Sequence, residues 1–113
     1  MPNSDYVPTP VNLNNVILPE ELIKLTENLA RNTHEVWAKT RLEQGWKWGE
    51  TRDDARKLHP CLVPYENLTE KEKTFDRNTA METLRFILAL GFKITKDESS
   101  KFPQETNNSL PKP

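Results

Sequence analysis

Two glycines set the limits of what this chain can fold into. Gly45 and Gly91 each follow a long stretch of helical pattern, and a residue that tolerates a left-handed backbone is the common end of a helix. The first helix opens at Pro19, where a missing N–H costs nothing, and Glu20 and Glu21 favour its positive end. It is expected to run to about Gln44. The second opens on Thr69-Glu70-Lys71-Glu72, a capping box with Thr69 as N-cap and Glu72 reaching back. It continues to about Leu90, with room for a bend near Asn78. The expected fold is mainly α: two long antiparallel helices, a structured aromatic loop and short β-strands.

At 100° per residue the first helix separates into stripes. Leu22, Leu25, Leu29, Thr33, Val36 and Thr40 form the expected core face. Lys24, Asn28, Arg31, Glu35 and Lys39 fall opposite, towards water. Between them run Ile23, Ala30, His34, Trp37 and Arg41, placed where the wall of a pocket would be. On the second helix Ala80, Leu84, Ile87 and Leu88 make the apolar stripe. In the segment Val11 to Leu18, Val16 and Leu18 could face one way in a brief strand, or the segment could lie extended across the core, and Phe92-Lys93-Ile94 has the pattern of a brief strand. Gly45 and Gly49 bracket Trp46-Lys47-Trp48, so an extended backbone there sends both indoles the same way. Asp53 and Asp54 suit the start of a helical turn through Lys57, stopped near Pro60.

The folding unit spans residues 11–95. Residues 1–10 carry three prolines without apolar periodicity, and residues 96–113 are polar and proline-rich, so disorder is expected at both ends. Sixteen basic residues against seventeen acidic ones give no field to collect polyanions, which argues against sequence-independent DNA or RNA binding. The longest wholly apolar run, Phe86 to Leu90, is too short for a bilayer, and the start lacks the pattern of a signal peptide. With a single cysteine no intramolecular disulfide can form, which fits a reducing cytoplasm.

The chemistry concentrates between Ala30 and Tyr65. That stretch holds all three tryptophans, both histidines, the cysteine and two of the three glycines. Trp37, Trp46, Trp48 and Tyr65 could stack a flat ring, while Arg41 and Arg52 hold a phosphate or carboxylate. His34 and His59 complete the cleft as hydrogen-bonding groups. The alternative is that the rings anchor a core or a dimer interface and the arginines pair with Asp53 or Asp54. No cofactor is expected: the glycines match neither dinucleotide nor P-loop patterns, and no ligand spacing suits zinc. Cys61, in an apolar run, reads as buried and inert, although a histidine base beside it would make a minimal catalytic dyad.

The pieces LPEELIKLTENLARNTHEVWAKTRLEQGW, WGETRDD, KLHPCLVPYENLTEKEK and DRNTAMETLRFILALGFKI, in order between Pro8 and Ile94, resemble the ryanodine receptor (RyR) repeat. This module occurs in tandem pairs in the receptors and singly in bacterial and phage proteins. The resemblance implies a small, mainly helical, non-enzymatic binding or sensory module without channel activity. It also implies a nucleotide-like or drug-like ligand, met by Trp37, Arg41, Trp46, Arg52, His59 and Tyr65. Trp48 departs from the family, where Tyr or Phe is more common. Because the receptor repeats pair about a pseudo-two-fold axis, a lone copy is expected to form a homodimer.

Overall fold

A computed structural model describes residues 5–98; the expected disorder of residues 1–4 and 99–113 lies outside the described residues. About half of the described chain is helical, with one small parallel sheet. The elements in order are α1 (Glu20–Ile23), α2 (Thr26–Glu43), β1 (Lys47–Trp48), β2 (Leu58–His59), a 3-10 turn (Tyr65–Asn67) and α3 (Glu70–Ala89).

The first helix is two helices. A turn at Lys24 and Leu25 interrupts the run expected from Pro19 to Gln44. The physical reason is local: the Thr26 hydroxyl donates to the Ile23 carbonyl at 2.5 Å, while Leu25 N–H bonds back only three residues, to Leu22. A side chain that takes a backbone carbonyl competes with the regular helix ladder. By contrast α3 is continuous through Asn78, and its capping box is complete at both hydrogen bonds.

Both glycine stops take the expected form. Gly45 (φ +93°) and Gly91 (φ +99°) are left-handed. At the end of α2, Gly45 N–H bonds Leu42 O and Trp46 N–H bonds Arg41 O; at the end of α3, Gly91 bonds Leu88 and Phe92 bonds Ile87. These are paired Schellman closures. Phe92 is thereby used to finish the helix, and no strand forms at Phe92–Ile94. Nor do residues 16–18 form one: Val16 N–H closes a turn on Leu13 O, and Leu13 and Leu18 pack inward as buried side chains.

The start of α2 meets the middle of α3, where Thr26 lies beside Met81 and Glu27 pairs with Arg77. Further along, His34 and Trp37 share a cavity with Glu72 and Asp76. The core is thin. Ala30, Tyr65 and Leu68 form its centre, with Cys61 and Val63 packed against it. The buried face of α2 therefore runs through Ala30 and His34, the stripe expected to edge a pocket. Leu25 and Val36, expected to be core, are 40% and 57% exposed. Ala30 is small enough to let the 3-10 turn lie against the helix, and the chain returning from β2 covers that side.

Candidate functional site

The site is built on the segment that leaves α2. After Gly45 turns the chain, β1 pairs in parallel with β2, Lys47 opposite Leu58 and Trp48 opposite His59. Between the strands Asp53 and Leu58 exchange backbone hydrogen bonds at 2.9 Å, and Asp53 Oδ1 accepts from Arg56 N–H. This is a tight loop rather than the expected helical turn. Its last residue, Lys57, is left-handed (φ 59°), a conformation that costs a non-glycine residue on the order of 1–2 kcal/mol. Its ammonium donates to the Gln44 carbonyl at 2.8 Å, which caps α2 and ties the loop to the helix end.

That arrangement gathers six of the expected residues. His34 stacks on Trp37 (centroids 5.6 Å, 27° between planes), Trp37 meets His59 edge-on at 5.0 Å, and Trp46 lies 6.1 Å from His59. The Arg41 guanidinium sits 5.9 Å from the Trp37 ring and 4.9 Å from the Trp46 ring. Arg52 approaches the Trp46 ring at 6.0 Å, but its guanidinium is already engaged by both Asp54 oxygens, at 2.7 and 3.4 Å. Among the described residues no carboxylate forms an ion pair with Arg41; its one side-chain hydrogen bond is to Gln44, at 3.4 Å.

The other two rings have different surroundings. Trp46 is buried, whereas Trp48 is 55% exposed and takes no part in this chain of ring contacts. Tyr65 is 2% exposed in the core, 6.4 Å from His34. Arg31 and Lys73 lie near its ring, at 5.3 and 5.6 Å, and its hydroxyl donates to Glu27.

A cavity of about 510 Å³ opens beside this cluster, between α2 and α3. His34, Trp37, His59 and Cys61 line it, together with Glu72, Asp76, Phe75 and Lys71 of α3. Neither Arg41 nor Arg52 reaches it. The α3 carboxylates were not legible as site residues, since Glu72 reads as a cap and nothing in the local pattern singles out Asp76. A signal did exist. Ala80, Leu84 and Leu88 recur every four residues, and the same row continued backwards meets Asp76 and Glu72.

Cys61 Sγ donates to Glu72 Oε2 at 3.0 Å, and burial together with that carboxylate pushes the thiol up to about 12. A thiol so held supplies no thiolate near neutral pH. Among the described residues no group of three or more His, Cys, Asp or Glu side chains is arranged to hold a metal ion, and no helix is long and apolar enough to cross a membrane.

His59 Nδ1 accepts the Cys61 backbone N–H at 3.0 Å, which fixes the proton of the neutral ring on Nε2. Burial, then the charges of Arg52 and Arg41, hold its pKa below the ordinary 6.5. The unfolded chain therefore takes up this proton first as pH falls, and the stability owed to neutral His59 is full above about pH 6.5 and declines below it. Burial raises the Asp76 pKa, which changes stability in the opposite sense. A His59→Gln variant separates the two. Its melting temperature should fall less than the parent's between about pH 7.5 and 5.5; equal falls would remove His59 as the cause.

The sequence pattern of a RyR domain matches over residues 6–96, which spans α1, α2 and α3, the two-stranded sheet and every residue of the cluster. The chain therefore belongs to the RyR domain family.

Proposed function

We propose that this domain is a non-enzymatic, cytoplasmic ligand-binding module. It recognises a nucleotide-like or other small anionic aromatic molecule through the cleft of Trp37, Arg41, Trp46 and His59. The observation that carries this reading is Arg41. A guanidinium flanked by two indoles and unpaired by any described carboxylate is pre-positioned for a phosphate or carboxylate, and the indole faces suit a flat ring. Arg52, held by Asp54, sets the electrostatics and keeps Trp46 in place. Cys61, kept as a thiol, supports a binding role over a nucleophilic one.

The test is a panel of nucleotides, their cyclic and diphosphate forms, and simple aromatic anions, read by thermal shift and tryptophan fluorescence. A ligand at about 100 times its dissociation constant adds roughly 2.7 kcal/mol, several degrees for a domain of this size. The shift should vanish in Arg41→Ala while the variant stays folded.

A second reading is favoured by the large apolar side chains left exposed. Phe75, Phe86 and Val11 line a groove where the N-terminal segment meets α3, a surface that a homodimer or protein partner would cover. No shift with any member of the panel, together with a melting temperature that climbs with protein concentration, would establish that role instead.

A further inference from the structure

The cavity between α2 and α3 differs in chemistry from the Arg41 cleft beside it. Asp76 forms no hydrogen bond and no ion pair among the described residues, yet it lines the cavity half-buried. Burial raises its pKa, as expected of a carboxylate that has lost water without gaining a donor. Glu72 accepts from Thr69 N–H through one oxygen and from Cys61 through the other, and each oxygen keeps a further lone pair.

His34 adds an independent observation. It is 96% removed from solvent, with 4% exposed, and its ring nitrogen Nε2 lies 2.7 Å from the Val63 carbonyl. A carbonyl only accepts, so Nε2 donates, and the neutral ring is left with a bare lone pair on Nδ1. That nitrogen has no hydrogen-bond partner among the described residues. No fully buried polar atom there lacks a partner, so Nδ1 lies where solvent reaches it, and the residue lines the cavity.

We propose that this cavity receives a flat ring whose edge carries N–H donors, an aromatic amidine or amine, set against the Trp37 and His59 rings and bonded by Asp76, Glu72 and His34 Nδ1. These three groups all present acceptors with free lone pairs, two of them carboxylates, which favours a donor-bearing ligand over an anionic one. The cavity size falls within the range of small-molecule sites. The lining also carries donors, the Thr69 hydroxyl, the exposed Lys71, the Trp37 indole N–H and His59 Nε2–H, but Lys71 forms no ion pair with either carboxylate among the described residues. Resting on the proposed function, the full ligand is bipartite: its donor edge enters the cavity, and its anionic group meets Arg41 across the shared wall of Trp37.

Benzamidine and benzoate, near-identical in shape and opposite in charge, test this on the full chain. The readout is the Trp37 indole N–H resonance in a titration. Benzamidine should shift it with at least tenfold higher affinity than benzoate. Asp76→Asn should lower benzamidine affinity at least tenfold, and Glu72→Gln should weaken it too. Benzamidine that fails to bind at millimolar concentration, or binds equally in Asp76→Asn, overturns the proposal. A parent chain that binds benzamidine but none of the anionic aromatic molecules instead overturns the role given to Arg41.

Discussion

Tyr65→Ala is expected to destabilise the domain by about 3–5 kcal/mol, the cost of deleting a large aromatic side chain from a core. The ring is 2% exposed and packs with Ala30 and Leu68 at the centre of a small core. It also carries a polar contact: its hydroxyl donates to Glu27 Oε1, while Glu27 Oε2 accepts from Arg77. The variant therefore loses the packing and one of the two partners through which Glu27 ties the start of α2 to the rest of the fold. Total stabilities are about 5–15 kcal/mol for ordinary domains, so this loss takes a large share of what a domain this size has. Tyr65→Phe keeps the ring and removes only the hydrogen bond, at roughly 1.5–3 kcal/mol for a charged acceptor. Urea denaturation followed by tryptophan fluorescence measures both. A Tyr65→Ala loss below about 1 kcal/mol would show that the ring is not a core anchor.

The second large effect is expected at Gly49. A Cβ there would lie 2.6 Å from Leu58 Cβ, 3.1 Å from its Cδ1 and 3.2 Å from its Cγ. No side-chain rotation moves a Cβ, so Gly49→Ala forces β1 away from β2. Overpacking of this kind costs about 1–3 kcal/mol. The strain should also reach the site, because β1 follows Trp46 and β2 carries His59. Gly49→Ala should lower the urea midpoint and weaken binding of any ligand held by Trp46 and His59. Adding Leu58→Gly, which removes every clashing atom, should restore part of the binding. Unchanged stability in Gly49→Ala would mean that the two strands separate without cost.

The helix ends were legible because their chemistry is local. A capping box and a left-handed glycine act within four residues, and Thr69, Gly45 and Gly91 each do what their neighbours require. The helix faces were less legible. Val36 and Leu25 read as core from hydropathy alone, but Ala30 and His34 are the residues on which the returning chain packs, and periodicity cannot say which side that chain will cover. The gathering of Trp37, Arg41, Trp46, Arg52 and His59 followed from their density in one short stretch. Glu72 and Asp76 were missed because the side chains that share their cavity, His34, Trp37, His59 and Cys61, stand more than ten residues away in the chain. The parallel pairing of β1 with β2 likewise depends on Lys57 reaching back to Gln44, a contact that no local pattern encodes.

The double closure at Gly45 makes the end of α2 a rotational reference for the site. Arg41 provides both the carbonyl that fixes the Trp46 backbone and the guanidinium that lies against its ring. One residue inserted between His34 and Arg41 would turn Arg41 and the Gly45 closure by about 100° and advance them by about 1.5 Å relative to His34. Substitutions along the exposed side of α2 leave that phase intact, but its length cannot drift by single residues. For anyone grafting this module into another protein, fusions belong outside residues 6–96, and α2 should be carried over with its residue count unaltered.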